Sequence, residues 1–256
     1  MTDSSVITIN ERDRVAWLTI DRPPLNIFDI ATMRELSSRL SELEQRQDLA
    51  AVALSAKGRV FSAGVDVPEH KPETVREMLT SVHDAFRRLF HLPCPTVSAI
   101  HADACGGGLE LAILCDCILV SDQARLGFPE ISLGVFPPLA AAYLHTIVGT
   151  KLAAELILTG QPMSADRARQ IGLVNHVFPQ ETFRESVEEF CQSLTAHSAF
   201  SLSQTKAAMR SAQFPQFNEA LAATERVYLD QLMSGDDPVE GLRAFMEKRA
   251  PEWKDR

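Results

Sequence analysis

The sequence predicts an α/β protein, with a body of alternating strands and helices over residues 1–195 and a helical region over residues 196–256. Three observations carry this reading. Short apolar runs, RVAWLTID (14–21), AVALSA (51–56), PTVSAI (95–100) and DCILVSD (116–122), have the length and β-branched content of strands. Between them, DIATMRELSSRLSELEQRQ (29–47) and PETVREMLTSVHDAFRRLFHL (72–92) repeat apolar residues every three to four positions, with Asp29 and Pro72 as starts. Beyond residue 195, SLSQTKAAMRSAQ, FNEALAATERVYLDQLM and PVEGLRAFMEKRAPEWKDR are helical in pattern, punctuated by Pro215 and by SGDDP at 234–238. Strands that alternate with helices are expected to pair through crossovers and not as simple hairpins.

The chain has 256 residues, 45% of them hydrophobic and 23% charged, enough for a sizeable core. No apolar run approaches the roughly 18–20 residues of a membrane span, and MTDSSVITIN lacks the basic and apolar segments of a signal peptide, so a cytoplasmic protein is expected. Five cysteines (94, 105, 115, 117 and 191), odd in number and mostly in apolar surroundings, read as free thiols. A net charge of −9 without a Lys/Arg stripe argues against nucleic acid as a partner. No His/Cys set has zinc spacing, since the sulfurs of CDC at 115–117 point to opposite faces of an extended chain, and no metal is expected.

The chemistry concentrates in DACGGGLELAILCD (103–116). Three glycines precede an apolar helical run that carries one acid, Glu110. Unpaired N–H groups at a helix start, with no Cβ in the way, can hold an oxygen gaining negative charge, and Gly107 is the likeliest donor of the three. The same glycines could equally serve close strand–helix packing. A second acid, Glu130, stands in GFPEISLGVFPP, again among apolar residues, and buried acids are costly unless paired or functional. Upstream, FSAGVDVPEH (61–70) follows a predicted strand; its Ala63-Gly64-Val65 turn can present a second N–H, or be a plain turn with Asp66 capping a helix. A Cys/His nucleophile from Cys105 and His101 is disfavoured, because His101 reads as a strand end and no third group orients it. His70 and His83 read as surface or packing residues, with His70 close to the pocket mouth.

Taken together, FSAGVD, ACGGGLELAILCD and LGFPEISLGVFP resemble the enoyl-CoA hydratase/isomerase (crotonase) superfamily in order and spacing. The resemblance runs from VAWLTIDRPPLN through AAELILTGQPMSADRARQIGLVNHVFP (153–179) to EGLRAFMEKRAPEWK. It implies a spiral of ββα turns with a C-terminal helical trimerisation region, and a homotrimer or a dimer of trimers. It also implies an acyl-CoA substrate, with no cofactor beyond the CoA that the substrate carries. Gly107 and Val65 match the family's two oxyanion donors, both through backbone N–H, so the side chain of Val65 need not take part. Glu110 and Glu130 match the hydratase acid pair, in which one acid deprotonates water and the other delivers a proton to carbon. The turn at Ala63, Val65 and Asp66 resembles the adenine-binding turn, and Lys248 a lysine that approaches the nucleotide phosphates. From the sequence alone, Lys248 equally fits a solvated helix face. Asn26, after the Arg-Pro pair, is assigned a structural or CoA-lining role.

The chain departs from the family pattern after Glu130, where FPPLAAAYL (136–144) replaces a glycine-rich PGAGGTQ-like stretch. Proline, leucine and alanines add apolar volume and remove backbone freedom near the reacting carbon, which suits a flat ring better than a flexible chain. With GVDVPEH and the short PPLN loop, this is similar to hydratases of cyclohexa-1,5-diene-1-carbonyl-CoA, which form a 6-hydroxycyclohex-1-ene-1-carbonyl thioester. The competing expectations are a general straight-chain hydratase, isomerisation or retro-Claisen cleavage on the same scaffold, and a non-catalytic acyl-CoA- or RNA-binding module.

Overall fold

A computed structural model describes residues 5–211 and 214–256, so part of the MTDSSVITIN stretch and the end of SLSQTKAAMRSAQ lie outside the described residues. The strands are β1 (Ile7–Arg12), β2 (Val15–Ile20), β3 (Ala51–Ala56), β4 (Thr96–Ile100), β5 (Ala104–Cys105), β6 (Cys117–Ser121), β7 (Arg125–Gly127), β8 (Met163–Ser164) and β9 (His176–Phe178). The helices are α1 (Ile30–Glu44), α2 (Val75–His91), α3 (Gly107–Ala112), α4 (Pro138–Val148), α5 (Thr150–Thr159), α6 (Ala165–Gln170), α7 (Phe183–Thr195), α8 (Ala199–Arg210), α9 (Phe214–Arg226) and α10 (Asp236–Met246). Six strands form one sheet in the order β1-β2-β3-β4-β6-β9, parallel from β2 onward, and β5-β7-β8 form a second, smaller sheet.

The four apolar runs become β2, β3, β4 and β6, and Asp29 caps α1 by accepting a hydrogen bond from the Thr32 N–H at 2.8 Å. Helix α2 starts three residues after Pro72, at Val75. The expectation of no hairpins is corrected at the N-terminus. Strand β1 pairs antiparallel with β2, Arg12 opposite Val15, through a two-residue turn in which Asp13 (φ 52°) and Arg14 (φ 63°) are both left-handed. That geometry matches the twist of paired strands.

Both faces of the large sheet are covered, as its mostly parallel pairing requires. On one side β2 and β3 pack with α1 and α2 through Leu18, Leu54, Met33, Leu36, Phe86 and others. On the other, small residues (Ala51, Ala53, Ala99) leave room for Phe183, Val187 and Cys191 of α7. The loop between α7 and α8 falls at the expected 195/196 boundary, yet Phe217, Leu221 and Tyr228 beyond it belong to the main core. An ionic clamp ties α8 to the body: Lys206 Nζ lies 2.7 Å and an Arg210 guanidinium nitrogen 2.5 Å from the Asp116 carboxylate, just after α3.

Candidate active site

The segments that follow β3 and β4 lie side by side. Phe61 N–H donates to the Asp103 carbonyl, Cys105 N–H donates to the Ser62 carbonyl, and Ser62 bridges Ala104 in parallel fashion. This brings Val65 against Gly107. Phe28 N–H donates to Gly64 and Asp66 N–H donates to Phe28, so the N–H of Val65, flanked in this parallel bridge, points away from Phe28. A β-carbon placed on Gly107 would lie 3.5 Å from the Val65 nitrogen and only 2.6 Å from its Cγ2. The Val65 side chain therefore closes on Gly107, and only a glycine fits beneath it.

Gly106 caps α3 at φ +52°, where a β-carbon would meet Glu130 Oε1 at 2.5 Å, and one on Gly108 would strike Ser62 at 2.6 Å. Close packing is thus one purpose of these glycines, and the Gly106 N–H donates to the Gly127 carbonyl at 2.9 Å. Helix α3 then buries Glu110, which is 3% exposed, and its Oε1 accepts from the Ala140 N–H at 2.9 Å in the first turn of α4. The stretch FPPLAAAYL is the start of that helix, with Pro138 at its first position, where a missing N–H costs nothing.

Val65, Gly107, Glu110 and Glu130 line a single cavity of about 210 Å³, together with Ala63, Pro137, Pro138, Phe136, Leu133 and Tyr228. Burial pushes Glu110 up to about 7, against the pull of the Ala140 amide. Burial, reinforced by the charge of Glu110, holds Glu130 well above the usual carboxylate range. Two buried carboxyls in one cavity thus hold a proton between them near neutral pH.

The other expected residues scatter. Asp66 borders the site, but its side chain makes no capping bond to the 3-10 turn Val67–His70; its carbonyl accepts from Glu69 and lies 2.9 Å from His70 Nδ1. Asn26 is fully buried at φ 48°; its amide donates to the carbonyls of Lys57, Val60 and Phe61, and its Oδ1 accepts from Arg22 N–H. It has no atom left for CoA, and of its two assigned roles the structural one holds. Lys248 is exposed just past α10 and is not among the cavity residues, although Phe245 of that helix is. His70, read chiefly as a surface or packing residue, lines the cavity.

Burial raises the Cys105 thiol, and His101 lies against the Gly58 carbonyl, 3.1 Å from Nε2, so the two do not form a nucleophile. Among the described residues no cluster of three metal-ligating side chains occurs. Among the cavity residues not read as site residues in the sequence are two with polar side chains, Tyr228 and His83. Tyr228 sits in an apparently ordinary helical stretch, and His83 belongs to the buried face of α2, where nothing in the spacing separates it from packing.

A profile described as enoyl-CoA hydratase/isomerase matches residues 10–256. The chain belongs to this family. It is 35% identical to a cyclohexa-1,5-dienecarbonyl-CoA hydratase of Thauera aromatica over 247 residues, which covers 96% of this chain and 95% of the relative. It is 31% identical to the 2,3-dehydroadipyl-CoA hydratase of Escherichia coli, covering 98% and 100%. Among solved structures, an enoyl-CoA hydratase from Mycobacterium avium subsp. paratuberculosis superposes with a TM-score of 0.88 at 25% identity, over 98% of this chain and 99% of that one. The crotonase fold and the hydro-lyase class follow for this enoyl-CoA hydratase family member. No described helix is long and apolar enough to cross a membrane.

Proposed function

We propose that the protein adds water to an α,β-unsaturated acyl-CoA thioester, with cyclohexa-1,5-diene-1-carbonyl-CoA as the substrate that suits its cavity best. The observation that carries this reading is the placing of Glu110 and Glu130 in one buried cavity that also receives Val65 and Gly107. In this mechanism the thioester carbonyl accepts from the Val65 and Gly107 N–H groups, which stabilise the enolate oxygen as charge builds on it. Glu110, anchored by the Ala140 amide, takes a proton from water as its oxygen bonds to carbon, and Glu130, which keeps its proton, gives it to the carbon that becomes saturated. The substrate thereby gains the elements of one water, its hydroxyl from the water and its new C–H from Glu130, and the cycle closes when the proton now on Glu110 is returned, by way of solvent, to Glu130.

The ring is favoured by the cavity's small volume and by its rigid wall of Phe136, Pro137 and Pro138, and the Thauera aromatica relative supports the same choice. The adenine side is assigned to the turn at Ala63, Val65 and Asp66, and Lys248 is left for the phosphates.

The test offers the diene thioester and crotonyl-CoA to the purified protein and to Glu130→Gln, and follows the gain of one water by mass. Turnover of the diene, lost in the variant, is expected. Hydration of crotonyl-CoA alone would keep the mechanism and reject the ring. An isomer without added water would reject hydration, and turnover of neither ester would leave the chain a binding module.

A further inference from the structure

The cavity has a second polar pole that hydration does not use. Tyr228 is 1% exposed and its Oη has no hydrogen-bond partner among the described residues; the fully buried His83 has none at Nε2. Both residues line the same cavity as Glu110 and Glu130. Buried polar atoms are rarely left so; Glu130 Oε2, unpartnered in the same cavity, belongs to the hydration site, and the other two point to something that satisfies them when the cavity is occupied.

Their chemistry is complementary. Glu225 lies 2.6 Å from His83 Nδ1, and the same carboxylate oxygen accepts from Arg87, also at 2.6 Å, so Glu225 is ionised and Nδ1 must carry the proton. Burial lowers the pKa of His83 and keeps the ring neutral. Nε2 is therefore a lone-pair acceptor. The ring of Tyr228 is held edge-on to Phe136, centroids 5.2 Å apart, and burial, with the charges of Glu130 and Glu110, raises the phenol well above its ordinary range, so Oη stays a donor.

We propose that Tyr228 and His83 form a hydroxyl-binding subsite in the acyl cavity, one that the unsubstituted diene ring leaves unfilled and that extends the cavity's range to acyl-CoA thioesters bearing a neutral hydroxyl on the ring beyond the reacting carbons. A single O–H donates to His83 Nε2 and accepts from Tyr228 Oη–H, satisfying both. A ketone would satisfy only the tyrosine. A carboxylate would meet the His83 lone pair and the charge of the glutamate pair, and would have to be desolvated as well.

The proposal rests on the acyl-CoA reading of the cavity but not on which bond is hydrated, so its test uses saturated esters that cannot react. Calorimetry compares cyclohexanecarbonyl-CoA with its 3-hydroxy and 4-hydroxy derivatives. One hydroxy ester is expected to bind about tenfold more tightly than the parent, a preference that Tyr228→Phe abolishes. As a check independent of variants, the ¹⁵N resonance of His83 Nε2 in the intact protein should shift with the hydroxy ester and not with the parent. Equal affinity for all three esters, or a preference that survives in Tyr228→Phe, overturns the subsite and leaves the two groups to a water of the fold. Binding of none overturns the acyl-CoA reading along with it. Failure of hydration alone would appear only in the turnover assay and would leave these affinities untouched.

Discussion

In the proposed mechanism Glu110 must be ionised to take a proton from water, and burial raises it to about 7, whereas Glu130 must stay protonated and burial with the charge of Glu110 raises it well above the usual carboxylate range. The rate of hydration should therefore rise with pH through about 7 and fall again as Glu130 ionises, a bell measured as kcat/KM against pH. Glu110→Gln and Glu130→Gln should each lower kcat by roughly 10²–10⁴-fold while the CoA ester still binds. The same raised pKa has a cost in stability. The folded state holds a proton on Glu110 that the unfolded chain releases near 4.5, so between about 4.5 and 7 the native state binds more protons and stability falls as pH rises. Above pH 7 the loss is complete. Glu110→Gln, whose amide oxygen can still accept from Ala140, should be more stable than wild type at pH 8 by up to about 3 kcal/mol and show no such gain at pH 4. Denaturant titrations at the two pH values measure this. Gly107→Ala should abolish turnover, because its methyl would sit 2.6 Å from Val65 Cγ2 and force apart the two amides that face the substrate.

At the scale of elements, α8 is held by charge more than by apolar contact. Burial alone would raise Asp116, but Lys206 and Arg210 more than offset it and bring the carboxyl below its usual range. Arg210 also donates to the carbonyls of Phe90 and Leu114, and Lys206 to that of Cys94, so one carboxylate joins α8 to the ends of α2 and α3. Asp116→Ala leaves two buried cations unpaired and should cost roughly 3–5 kcal/mol, read from the urea midpoint. This clamp was not legible in the sequence, where Asp116 is one acid in a CDC triplet and its partners lie about 90 residues away. Elements with a strong local period were legible: β2, β3, β4, β6 and α1 appear within one or two residues of their expected positions at most boundaries. What escaped were short strands such as β5, β7 and β8, two or three residues long, whose existence depends on neighbours from distant turns of the chain. The site divided the same way. Glu110, Glu130, Gly107 and Val65 stand in recognisable motifs, whereas Tyr228 and His83 enter the cavity through tertiary packing alone.

For the whole molecule, the helical region after residue 195 does two things at once. It closes the acyl cavity from one side, through Tyr228 and Phe245, and it carries apolar side chains outward. Phe200 is 72% and Met209 70% exposed on α8, and Phe245 55% on α10. Large apolar groups this exposed mark contact surfaces, and Phe200 and Met209 sit on a helix whose inner side is already committed to the Asp116 clamp. Rotation of α8 to hide Phe200 would pull Lys206 and Arg210 out of their carboxylate. We propose that a neighbouring copy of the chain covers these side chains and leaves this arrangement intact, the assembly that the family resemblance implies being a homotrimer or a pair of trimers. Light scattering on the eluting protein should then give three or six times the 28.3 kDa of one chain. Phe200→Asp should lower that mass without changing the far-ultraviolet circular dichroism. A wild-type mass of one chain would show that these side chains face solvent, and that the acyl cavity is completed within a single copy.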